Sequence, residues 1–88
     1  MTEFFVANSM DGIRMRVSFK DVVAFRKETI KLFANKRDWE VYLFDYNQNY
    51  IGRIYRKPWQ GESICWTSKD SLLTKRVTKD GKIYKRDR

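Results

Sequence analysis

The sequence predicts an α+β domain: an N-terminal β-hairpin, one long helix, a three-stranded antiparallel sheet, and a basic C-terminal segment, either short helix or hairpin. Three observations predict it. Apolar residues recur at every second position over 13–19 and again over 39–43, the period of a half-buried strand. Between those runs, over 19–33, the apolar positions follow helical spacing. Turn-forming residues then punctuate the second half at 46–49, 58–61 and 80–81.

Residues 3–8 carry Phe4, Phe5 and Val6, and Met10-Asp11-Gly12 follows as a hairpin turn signal. Ile13, Met15, Val17 and Phe19 then alternate with Arg14, Arg16 and Ser18, so residues 3–8 and 13–17 read as a hairpin with one apolar and one basic face. Ser18 with Asp21 has the spacing of a capping box for a helix over 19–35. At about 100° per residue, Phe19, Val22, Val23, Ile30 and Phe33 share one side, and Lys20, Lys27 and Lys31 form a stripe on another. Arg26 falls inside the apolar arc, where it either reaches solvent from the rim or meets an acidic partner. Asn35 suits the helix end, and Lys31, Lys36 and Arg37 complement its dipole.

Residues 39–45 read as a strand with Trp39, Val41 and Leu43 on one face and Glu40, Tyr42 and Phe44 on the other. Residues 50–57 form the return strand, which Pro58 stops. After Gln60-Gly61, residues 62–68 make a third strand, with Ile64 and Trp66 opposite Cys65. Alternation assigns Trp39 and Trp66 to the core. Two readings of the C-terminus stay open. Ser68 or Ser71 caps a short helix carrying Leu72, Leu73, Arg76 and Val77, with a loosely ordered basic tail over 79–88. Alternatively, 73–78 and 82–86 pair around Asp80-Gly81. The helical version is preferred. Nothing divides the chain, so 1–88 is taken as one domain.

With 42% hydrophobic residues and three tryptophans, the chain has the material of a packed core, which argues against disorder. Cys65 is the one cysteine, so no internal disulfide forms and a reducing compartment suits it. The opening residues lack the basic and long apolar regions of a signal peptide, and no run approaches the roughly 20 apolar residues of a membrane span. A cytoplasmic, non-membrane protein is expected. There is no histidine, the commonest general base and metal ligand, and the four glycines are scattered rather than gathered in a phosphate-binding loop. The expectation is therefore no catalytic set, no metal and no cofactor.

Charge carries the functional reading. Lys plus Arg is 19 against 11 for Asp plus Glu, a formal net charge of +8. Residues 46–61 hold no acid, three cations (Arg53, Arg56, Lys57) and four large aromatics, including Tyr55 and Trp59. Cations neutralise phosphates, and exposed aromatic faces stack on unpaired bases. Arg53, Tyr55 and Lys57 share one strand face, and Trp59 stands in a turn. The expected nucleic-acid contacts are thus Arg53, Arg56 and Lys57 on phosphates and Tyr55 and Trp59 in stacking. Lys75, Arg76, Lys79, Lys82, Lys85 and Arg86 would supply long-range attraction, with Lys20, Lys27 and Lys31 as a secondary stripe. The expected partner is RNA, bound by shape and phosphate with weak sequence preference.

A helix followed by three antiparallel strands and, in the helical reading, a final short helix resembles the element order of a double-stranded-RNA-binding domain over residues 18–80. Lys69, Lys75 and Arg76 stand where that family has its basic cluster. In general character the short, histidine-free chain, rich in Lys, Asn, Tyr and Phe, is similar to small accessory proteins of tailed phages. That resemblance implies an inhibitor of a host toxin, nuclease or defence, acting through RNA or binding the host protein directly. At +8 it would not act as an acidic mimic of nucleic acid. A further alternative is a small histidine-free ribonuclease employing Arg53, Lys57, Tyr55 and Tyr84.

Overall fold

In the computed structural model, residues 2–8, 13–57, 63–71 and 73–84 are described, with backbone alone over 2–8 and 13–18. The chain is α+β, one helix against an antiparallel sheet. Its elements are β1 (Thr2–Asn8), β2 (Ile13–Phe19), α1 (Val22–Leu32), β3 (Trp39–Phe44), β4 (Tyr50–Arg56), β5 (Ile64–Ser68) and β6 (Lys75–Val77). The sheet order is β2-β1-β3-β4-β5-β6, with β3 to β6 a meander of sequence neighbours. The Asp11-Gly12 turn signal lies outside the described residues. No helix among them is long and apolar enough to cross a membrane.

Helix α1 is shorter at both ends than the sequence suggests. Asp21 is its N-cap, accepting from the Ala24 N–H at 2.8 Å, because β2 holds residues up to Phe19 in extended backbone. Ser18 therefore stays in the strand, and Lys20 precedes the helix instead of joining its stripe. At the other end the Phe33 N–H closes the last turn on Thr29 O at 3.1 Å.

The buried side is also rotated from the expected arc. Phe25, absent from that arc, is wholly buried at its centre. Its ring meets Phe19 edge-on at 5.4 Å and Trp66 at 6.3 Å. Arg26, Thr29 and Ile30 are buried beside it, and Phe33 stacks on Trp39 at 5.4 Å. The sheet answers with Trp39, Val41, Leu43, Ile54, Trp66 and Val77. Gly52 leaves room for Trp66, since a Cβ there would lie 2.7 Å from the indole ring.

At the C-terminus the hairpin reading replaces the helical one. Lys75–Val77 pair with β5, and Val77 bridges to Ile83. The Thr78 N–H donates to Lys82 O and the Gly81 N–H to Thr78 O, both at 2.9 Å. Gly81 has φ +83°, so a glycine occupies the left-handed position that closes this three-residue loop. Edge pairing to β5, reinforced by Asp80-Gly81 turn chemistry, outweighs the local helix-start signal at 68–71. Residues 79–84 thus form a turn and a return segment bridged to β6 at Ile83, and the final helix of the double-stranded-RNA-binding order has no counterpart over 73–84.

Candidate nucleic-acid interface

Helix α1 covers one sheet face; the other carries the predicted site. Register decides how that site is wired. Glu40 stands opposite Tyr55 and Tyr42 opposite Arg53, so the diagonal neighbours of Glu40 on β4 and just beyond it are Arg53 and Lys57. Both cations take that position. Arg53 Nη1 donates to Glu40 Oε1, and Lys57 Nζ lies 3.6 Å from Glu40 Oε2 and 3.1 Å from Asp38 Oδ1. The absence of acid within 46–61 is therefore offset by acids on the neighbouring strand and its approach.

Arg53, Tyr55 and Lys57 do share one face, but each is already engaged within the protein. The Arg53 guanidinium lies 4.6 Å from the Tyr55 ring centroid, and the Tyr55 hydroxyl reaches Thr74 Oγ1 at 3.4 Å. Tyr55 is only 5% exposed, which corrects its assignment as a stacking platform. Arg56 pairs with Trp39 in register and so belongs to the helix-covered face, apart from Arg53 and Lys57. Trp59, Lys85 and Arg86 lie outside the described residues. Tyr50 packs against Tyr42 and Phe44, with ring centroids 6.2 and 5.7 Å away.

Glu40 is the hinge of this charge arrangement. Burial alone would raise its carboxyl pKa, but hydrogen bonds from Tyr42 and Arg53, with the Arg53 and Lys57 charges, hold it below the ordinary carboxylate value. A depressed folded pKa adds stability that is present above the unfolded value, about 4.3. That stability is lost as pH falls through the lower folded value. Glu40→Gln is expected to lower stability at pH 7 by about 1 kcal/mol, a modest figure because Arg53 is partly solvated. Thermal melts from pH 7 to 3 should show the gap from wild type closing below about pH 4. A gap that stays constant across that range would remove Glu40 as its source.

A second basic region forms where the sequence suggested two unrelated ones. The C-terminal turn docks on the first half of α1: Arg26 Nε donates to Gly81 O at 2.7 Å, a buried contact spanning 55 residues. A Cβ on Gly81 would sit 2.4 Å from Val23 O and 2.8 Å from Lys27 N, so the turn backbone lies directly on the helix. Exposed Lys27 of the helix stripe is thereby brought near exposed Lys82, both acting on the Asp80 carboxylate; exposed Lys31 follows one helical turn on, and exposed Lys79 belongs to the same hairpin turn. The hydrogen bond from the Thr78 hydroxyl, helped by the Lys82 and Lys27 charges, keeps the Asp80 carboxyl below the ordinary value. None of Lys27, Lys31, Lys75, Arg76, Lys79 or Lys82 forms a salt bridge among the described residues.

Beside this region, at the β5–β6 edge, a hollow of about 380 Å³ is lined by Ser63, Ile64, Arg76, Val77, Thr78 and Lys79, with Tyr84 at its wall. The Tyr84 N–H donates to Arg76 O at 2.7 Å, and Tyr84 is 54% exposed. Cys65, paired with Arg76 in register, is buried, and burial raises its thiol pKa despite the Arg76 charge. It behaves as a small strand residue. Tyr84 is an exposed aromatic that sequence reasoning placed only in the ribonuclease alternative, not among the RNA contacts. The available signal was its two-residue spacing from Lys82, with Ile83 turned to the core between them. No group of three or more Cys, Asp or Glu gathers into a metal site among the described residues.

Comparison with protein-family models, with curated proteins and with solved structures found no match.

Proposed function

We propose that this chain is a noncatalytic RNA-binding domain whose ligand tracks the C-terminal hairpin and the adjoining flank of α1. One observation carries the reading: the docking of the Gly81 turn on α1, which brings exposed Lys27 near exposed Lys82, with exposed Lys31 and Lys79 on the same two elements. Exposed Lys75 and Arg76 lie along the adjoining sheet edge, Lys75 on the helix side opposite Trp66 and Arg76 on the other side opposite Cys65. Exposed lysines attract phosphate by releasing condensed counterions, which needs no fixed geometry and gives weak sequence preference. Arg53 and Lys57, already satisfied by Glu40 and Asp38, are secondary contributors.

Fluorescence anisotropy with labelled RNA over a salt series tests this. Lys79→Ala/Lys82→Ala is expected to weaken binding about tenfold near 0.1 M salt and to flatten the logarithmic salt slope by about 1–2. Arg53→Ala/Lys57→Ala should change both less. Equal affinity and slope for wild type and the Lys79/Lys82 variant would exclude the surface. The RNA is expected to run intact on a gel afterwards; cleavage would replace this reading with a ribonuclease.

A further inference from the structure

We infer that the hollow at the β5–β6 edge is a seat for one unpaired nucleotide, with the Tyr84 ring against the base and Arg76 and Lys79 on its flanking phosphates. This rests on the RNA-binding reading and specifies its ligand as single-stranded. The hollow combines three things that such a ligand needs. An exposed tyrosine stands at its wall, its backbone pinned to β6 by the Tyr84 N–H to Arg76 O bond, so the ring is offered from a fixed base. Two exposed cations lie beside it, on β6 and on the turn. Ser63 and Thr78 add hydroxyls that can both donate and accept, as base edges and ribose require.

Size and chemistry narrow the occupant. About 380 Å³ is at the small end of the roughly 300–1,000 Å³ range of small-molecule sites, room for a single nucleotide rather than a helix. In a duplex the base faces are stacked and unavailable, and shape recognition across grooves needs a long surface. An aromatic flanked by cations instead suits a splayed-out base, whose π-face stacks whatever its identity. Lys79 lines the hollow and belongs to the same turn as Lys82, so a strand held by that turn can place one nucleotide in the hollow, with the Asp80 carboxylate between the two lysines held by the Thr78 hydroxyl.

The test uses the full chain with a single-stranded RNA carrying one 2-aminopurine, the same sequence as a duplex, and its DNA counterpart. Wild type is expected to quench 2-aminopurine emission on binding and to prefer the single strand. Tyr84→Leu should lose the quench and weaken binding about tenfold. Tyr84→Phe, which keeps the ring, should retain both. Single-strand binding with the quench unchanged in Tyr84→Leu would overturn the seat and leave the RNA-binding reading standing. So would a preference for duplex RNA. Absence of binding to any strand would overturn the RNA-binding reading and the seat with it. Equal quenching by the DNA strand would support the seat and remove RNA as the particular partner.

Discussion

Gly81→Ala is expected to destabilise the domain by about 3 kcal/mol or more, lowering the melting temperature by roughly 10–20 °C. Two causes act together. At φ +83° a Cβ is disfavoured by about 1–2 kcal/mol whatever surrounds it. Here the same Cβ would also lie 2.4 Å from Val23 O and 2.8 Å from Lys27 N, backbone atoms of a helix that cannot step aside. The turn must lift, and Arg26 then loses its acceptor. Gly81→Asn separates the two causes, since asparagine tolerates the left-handed region but still carries the Cβ. If the close approach dominates, asparagine should be no better than alanine in thermal and urea unfolding. A loss below about 1 kcal/mol for alanine would mean that the turn is not seated on α1 as described.

Arg26→Met is the second large effect, expected to be about 2 kcal/mol. Methionine restores much of the buried chain length but leaves Gly81 O without a donor in a buried setting. It also removes a guanidinium lying 5.2 Å from the Trp66 ring centroid. Part of the loss is returned because a buried charge is desolvated in wild type, which lowers its pKa despite Asp21 nearby. Arg26→Lys keeps the charge without the planar donor and should fall between the two. Urea unfolding of the three proteins gives the order directly. A methionine variant as stable as wild type would show that the bond to Gly81 contributes nothing net.

Both residues mark where the sequence was legible and where it was not. Strand faces could be read because alternation is a local property: Trp39, Val41 and Leu43 on β3, and Ile64 and Trp66 opposite Cys65 on β5, stand as expected. The antiparallel meander followed from its turns. What failed was whatever depended on a partner far along the chain. Arg26 looked misplaced in an apolar arc because its acceptor is a carbonyl 55 residues away. Arg53 and Lys57 looked free because their carboxylates sit on another strand, and only the register places Glu40 diagonally between them. The C-terminus was ambiguous because helix and hairpin signals overlap there. Edge pairing with β5 decides between them, and that is not a local quantity.

The position of the hairpin has a consequence for solubility. Ile83 pairs on the side of β6 away from β5, so the 82–84 segment is the outer rim of the sheet. Rims expose unpaired peptide groups and invite a second molecule to add a strand. Lysine at 82, with Lys79 in the adjoining turn, repels an identical rim by like charge. The cations proposed to draw RNA thus also keep copies of the protein apart. Neutralising them removes a guard against self-association together with a ligand contact, so the Lys79→Ala/Lys82→Ala variant belongs at low concentration, where light scattering shows a monomer.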